Sequence, residues 1–168
     1  YARLKPIAEG LSHQDFLLKM KEMGGIVEEF VEGDLKMYPS VQCRINPKGK
    51  CVIVSTHDQE LGGESGQVFL GAYFPANIEY AAELGKIGMK VSEALRDKGV
   101  LGRFALDFIS VKQKKGWMHY PIEINLRKGG TTHPYIMLQF LTDGDYNAEK
   151  GKYYTANGQT RFYYCSDN

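Results

Sequence analysis

Between Pro121 and Pro134 the chain reads PIEINLRKGGTTHP, with an acid, an amide and a base at every second position before it breaks into glycines, threonines and a histidine. In a strand, successive side chains alternate faces, so Glu123, Asn125 and Arg127 form one polar row while Ile122, Ile124 and Leu126 point the other way. A further acid, Asp107, stands in the preceding stretch GRFALDFISV. Two carboxylates and an amide oxygen are hard donors that suit Mg²⁺ or Mn²⁺ and leave coordination positions for phosphate oxygens. A planar guanidinium two residues on can stabilise charge on a transferring phosphoryl group or a tetrahedral oxyanion. Gly129-Gly130 permits backbone close to a ligand, Thr131 and Thr132 offer hydroxyls, and His133 offers a switchable donor. Arg127 and His133 are therefore the candidate catalytic side chains. The same alternation also describes the wet side of any half-buried antiparallel strand, and His133 also suits a turn histidine bonded to backbone.

The elements that carry these residues set a geometric condition. Residues directly opposite in an antiparallel pair share a face, so Asp107 joins the row only if it pairs with Glu123. That register demands an odd-numbered connection, for example five residues rather than four, between the strands that KQKKG separates. Upstream, Ser12 and Asp15 announce a short helix ending at Gly24-Gly25, and GIVEEFVEG suggests a short strand. PSVQCRIN and KCVIVSTHDQ flank a Pro-Lys-Gly turn as a hairpin, and GQVFLGAYFPA gives another strand closed by Pro75. Ile78, Ala81, Leu84, Ile87, Val91 and Leu95 step by three or four, predicting a helix from Asn77 as cap to Gly99 as stop. PYIMLQFLTDG suggests a helix, and KYYTANGQTRFYYCSD a hairpin around Asn157-Gly158. This order predicts one α+β domain over residues 1–168, an antiparallel sheet with helices mainly on one face.

Composition narrows the partners. A formal net charge of +1, with acids and bases dispersed, gives no reason to expect nucleic acid or an anionic membrane. No apolar run approaches the roughly 20 residues of a spanning helix, and no signal-peptide layout opens the chain, so the cytoplasm is the expected compartment. Cys43, Cys51 and Cys165 are odd in number and lack CxxC spacing, which favours thiols, although Cys43 and Cys51 fall on the two arms of the first hairpin. The opening YARLKPIAEG has no start methionine and reads as a piece of something longer.

Asp-Phe on one strand followed by EINLR on the next resembles the signature of ATP-grasp ligases. The longer run EINLRKGGTTHP, with LQFLTDGDYN after it and YYCSDN at the end, is similar to the pheganomycin-type peptide ligases, a carboxylate-amine ligase family with related blocks in some eukaryotic IQ-motif proteins. The likeness runs from about Gly24 to Asn168. It implies ATP and Mg²⁺ (or Mn²⁺) as cofactors, with Asp107, Glu123 and Asn125 as metal ligands and Arg127 at the γ-phosphate or acyl phosphate. VEEFVEG resembles the hinge whose backbone, at Glu29 and Val31, would bond the adenine edge, with Glu28, Glu32 or Asp34 holding the ribose. STHDQELGGESG resembles the segment beneath the phosphates and acceptor substrate, which His57, Asp58 and Gln59 would line. Small-molecule carboxylate and amine substrates are implied, as is a first ATP-grasp subdomain that supplies lysines and a glycine-rich flap. No GxxxxGK[ST] motif stands in for that half. The expectation is thus the C-terminal half of an ATP-grasp module forming C–N bonds. A pseudoenzyme or scaffold domain, and a small-molecule binding module without metal, remain as alternatives.

Overall fold

The computed structural model describes residues 10–63 and 66–166. Glu64 and Ser65 of the glycine-rich loop, the first nine residues, and Asp167-Asn168 of the terminal YYCSDN lie outside the described residues. The chain divides into two compact units, Tyr1–Val31 and Glu32–Asn168. Among the described residues no helix is long and apolar enough to cross a membrane.

The first unit contains α1, His13–Met23. Its start follows from Ser12, whose Oγ accepts the Asp15 N–H at 3.1 Å, and its end from Gly24, at φ 71°, whose N–H bonds the Met20 carbonyl. The strand expected over GIVEEFVEG does not form. Ile26 and Val27, its strongest strand formers, stand 81% and 95% exposed and only Val31 is half-buried, so the segment gains little of the burial that stabilises a strand.

In the second unit the strands are β1 (Lys36–Met37), β2 (Pro39–Ile45), β3 (Cys51–Gly62), β4 (Val68–Phe74), β5 (Gly102–Lys112) and β6 (Trp117–Asn125). Two helices, α2 (Ala81–Asp97) and α3 (Thr132–Thr142), and three short strands, β7 (Asp145–Asn147), β8 (Lys152–Tyr154) and β9 (Tyr163–Ser166), complete it. All described pairings are antiparallel. β1 and β2 run along one side of β5 and β6 along the other, giving the order β6-β5-β2-β3-β4-β9. This is the α+β antiparallel architecture that the sequence implies.

Alternation along β2 sorts the sheet into two faces. Val41, Cys43 and Ile45 join Ile53, Phe104, Leu106 and Phe108 in the core under α2. Gly88 lets the helix approach: an added Cβ would lie 2.9 Å from Val41 and 3.2 Å from Ile53. Each such buried aliphatic or aromatic side chain contributes about 1.5–3 kcal/mol. α2 begins at Ala81 rather than after Asn77, because Asn77 folds residues 77–80 into a turn: its side chain takes the Glu79 N–H and its carbonyl the Tyr80 N–H. Asp58 ties β3 to that turn, accepting the Tyr80 hydroxyl at 2.7 Å and the Asn77 N–H at 2.8 Å. α3 begins over the opposite face, where buried Gln42 reaches Thr131 and Thr132.

At the C-terminus the Asn157-Gly158 turn forms, with one bridge between Tyr154 and Thr160. The expected hairpin goes no further. β8 pairs with β7, and β9 leaves to extend the main sheet beside β4, where a longer ladder is available.

Candidate functional site

The site is assembled by an irregularity in the β5–β6 hairpin. The connection is four residues, Gln113–Gly116, an even number where the parity argument requires an odd one, since Lys112 pairs with Trp117. Continued without interruption, that ladder would set Asp107 opposite Ile122. A register shift between Asp107 and Phe108 instead leaves Ile122 as the extra residue on β6 and pairs Asp107 with Glu123. The expected register is reached by a bulge rather than by the turn. Pro121, which cannot donate to a ladder, stands beside it and is the sequence signal for such a site.

On this face Asp107 lies between Ser40 of β2 and Glu123 of β6. Asn125 Nδ2 donates to Asp107 Oδ2 at 2.9 Å, which turns its own carbonyl oxygen away as a free acceptor. Burial pushes the Asp107 carboxyl above its ordinary range, and the charge of Glu123 adds to this. The Ser40 hydroxyl, Asn125 and Arg127 oppose it. Two facing carboxylates, one of them desolvated, with an amide oxygen beside them, form a donor set that fits a hard divalent cation. Among the described residues no three His, Cys, Asp or Glu side chains gather, so the amide completes the set.

These groups line a cleft of about 220 Å³ that also takes in Arg127, Ser40, His57, Gln59, Phe69 and the loop at 129–131. The chain turns sharply after β6, the Arg127 N–H bonding the Asn125 carbonyl at 2.7 Å, so Arg127 stays on the cleft. The loop is fixed from below. Gln42 Nε2 donates to the Thr131 carbonyl at 3.2 Å, and Thr132 Oγ1 accepts the Gly129 N–H at 3.1 Å. A Cβ at Gly129 or Gly130 would meet nothing within 4 Å, and neither has a left-handed φ. Neither packing nor a left-handed φ calls for glycine there, so the two residues present backbone without side chains to the cleft.

His57 forms part of the cleft wall, 2% exposed, with its ring 5.1 Å from Phe74. Burial lowers its pKa to about 3, so the imidazole is neutral. Asp58, expected beside it, faces the other way as the anchor of α2, as alternation along β3 requires. His133 is exposed in the first turn of α3 and does not line the cleft. Glu28, Glu29 and Val31 belong to the first unit, and Asp34 is exposed ahead of β1 in the second. Ser40 and Gln42 escaped the reading of the sequence. Their signal is the alternation of Ser40, Gln42 and Arg44 with Val41, Cys43 and Ile45, which equally describes the solvated face of a strand.

Residues 11–149 match the family described as IQCH-like, ATP-grasp. The L-propargylglycine–L-glutamate ligase of Streptantibioticus cattleyicolor is 33% identical over 153 residues, covering 91% of this chain and 30% of that protein. The chain thus spans about a third of the length of this curated relative. Among solved structures, the biotin carboxylase domain of Hydrogenobacter thermophilus 2-oxoglutarate carboxylase superposes with a TM-score of 0.58 at 18% identity, covering 82% of this chain and 28% of that one. N5-carboxyaminoimidazole synthetase from Staphylococcus aureus gives a TM-score of 0.51 at 17% identity over 74% of this chain and 30% of that one. Both share the fold. The family match covers the cleft residues and most of the chain, and the chain belongs to the IQCH-like ATP-grasp family.

Proposed function

We propose that this chain carries the metal-holding and phosphoryl-clamping wall of an ATP-dependent carboxylate-amine ligase. The observation that carries this reading is the pairing of Asp107 with Glu123 in one cleft with Asn125 and Arg127. Asp107, Glu123 and the Asn125 carbonyl oxygen would hold Mg²⁺ or Mn²⁺, which supplies neutralisation of the charge on phosphate oxygens. Arg127 gives one Nη1 bond to the Lys128 carbonyl, and its remaining N–H groups serve the γ-phosphate and the acyl phosphate. The bare backbone at Gly129-Gly130 admits phosphate close to the chain. The γ-phosphoryl group passes to a substrate carboxylate oxygen and ADP leaves. An amine then attacks the carbonyl carbon and phosphate departs. A first ATP-grasp subdomain, which the resemblance implies, would hold the other side of the nucleotide.

Two comparisons support this reading. The Streptantibioticus relative is by name a ligase for two amino acids, and the Hydrogenobacter domain was solved with MgADP. The test is Glu123→Ala in the full-length protein, read by calorimetric titration of Mg-ATP and by ADP release with pairs of amino acids. Loss of a carboxylate ligand is expected to weaken Mg-ATP binding at least ~10-fold and to remove turnover. Unchanged affinity and turnover would dismiss the metal assignment. Wild-type protein that binds Mg-ATP without ever releasing ADP would favour the scaffold reading.

A further inference from the structure

A second hollow, of about 240 Å³, opens where the chain leaves β8 for β9. The Arg161 N–H still bonds the Tyr153 carbonyl, but Tyr163 is already paired with Phe74 of β4, so Arg161 and Phe162 carry the chain from one strand to the other. Pro75 and Ile78, which follow β4, and Lys152 and Tyr153 of β8 line the hollow together with this segment. Phe69 lines the Asp107 cleft, and Pro75 stands six residues further along the chain, about 20 Å in an extended strand, so the two sites are separate.

One wall is fixed and aromatic. Tyr153 is 1% exposed, its ring set edge-on to those of Tyr135 and Tyr163 and its hydroxyl 2.8 Å from that of Thr142. Phe162 and Ile78, at 70% and 47% exposure, add apolar surface that a ligand would cover. The charged residues of the lining are Lys152 and Arg161, both positive. Among the described residues neither is paired with an acid. Arg161 bonds neutral oxygens, the Thr160 carbonyl from Nη1 and the Gln159 side chain from Nη2, and keeps its other N–H groups. Two cations without counter-charge beside apolar walls complement an anion with an apolar body.

Size and charge narrow the anion. A cavity of about 150 Å³ takes benzene, so this hollow suits one ring or a branched chain with a short acidic tail. Free phosphate would leave the apolar walls unused. An amino acid would bring its ammonium up to two cations, with no acid in the lining to receive it. We propose that the hollow binds a small monocarboxylate with an aromatic or branched apolar body and no amine on the neighbouring carbon. Arg161 and Lys152 take the carboxylate, and Tyr153, Ile78 and Phe162 enclose the body. The site stands apart from the ATP chemistry and does not rest on the ligase reading.

The probe is 3-phenylpropionate, added to the full-length protein without Mg-ATP and followed by calorimetry and by the δ1-methyl NMR signal of Ile78. Saturable binding in the millimolar range or tighter, with a shift of that signal, is expected. 3-Phenylpropanol, which lacks the charge, and phenylalanine, which adds the ammonium, should each bind at least about fivefold more weakly. Lys152→Gln and Arg161→Gln should each weaken binding roughly three- to tenfold, and the two together should abolish it. Both side chains are exposed, so the substitutions leave the fold intact. No saturable binding, an Ile78 signal that stays fixed, or phenylalanine binding as tightly as 3-phenylpropionate overturns the proposal. Binding that survives the double variant and is lost in Arg127→Gln places the acid in the Asp107 cleft and overturns it as well. So does tighter binding of a pentapeptide ending in phenylalanine, which would assign the hollow to a protein tail.

Discussion

Gln42 shows how much of this site depends on residues that do not line the cleft. It is 4% exposed, and its amide donates to the Thr131 carbonyl while its oxygen accepts from Thr132 Oγ1, so one side chain clamps the strand to the loop that roofs the cleft. Gln42→Leu keeps the bulk and removes both bonds, leaving a buried carbonyl and hydroxyl unsatisfied. A loss of about 1–3 kcal/mol by urea denaturation is expected, with weaker Mg-ATP binding because the glycine loop is no longer held. Undiminished stability would mean that water replaces the amide. The common face of Glu123 and Asn125 was legible from alternation, whereas Arg127 reaches the cleft past the end of β6 through the turn at Asn125. The role of Gln42 was not, because a polar residue inside an apolar strand signals burial with a partner but never names the partner, here 89 positions away.

Among the elements, the bulge in β6 is the feature that sequence periodicity could not deliver. Alternation gives the faces of each strand and the requirement that 107 meet 123, but the length of a turn and the presence of an extra residue trade against each other, and only Pro121 hinted which applied. The strand predicted over GIVEEFVEG failed for the converse reason, that propensity without burial does not make a strand. β9 illustrates pairing decided by the space available. It lies on β4 where Gly71 presents no side chain: a Cβ there would fall 2.5 Å from the Cys165 carbonyl oxygen. Gly71→Ala must therefore push the backbone of β9 away. Amide exchange over residues 163–166 should accelerate selectively, with an overall cost of about 1–3 kcal/mol. Exchange that stays as slow as in the parent protein would show that β9 is held by its side chains, such as the Tyr73–Tyr164 ring pair, and not by its ladder.

Across the whole molecule, the buried titratable groups of the sheet work against one another with pH. His57 is neutral in the folded chain because burial lowers its pKa to about 3, while an unfolded histidine takes a proton near its ordinary value. Between those limits the unfolded state binds more protons, so stability falls as pH is lowered, by up to about 1.4 kcal/mol per pH unit for one group. His119, also lowered by burial, acts in the same direction. Asp58 and Asp107 have folded pKa values raised by burial, so in their own window the folded state binds more protons and stability rises as pH falls. The histidines titrate from a higher starting point. A decline in stability should therefore begin below the ordinary histidine pKa and flatten once the two aspartic acids take up protons in the folded state. His57→Phe removes the larger falling contribution and keeps the ring against Phe74. In chemical denaturation from pH 7.5 to 4.5 the parent protein should hold its stability until the pH falls to the ordinary histidine pKa and lose it below that, and the variant should lose distinctly less. Equal slopes in the two proteins would mean that His57 is protonated in the folded chain.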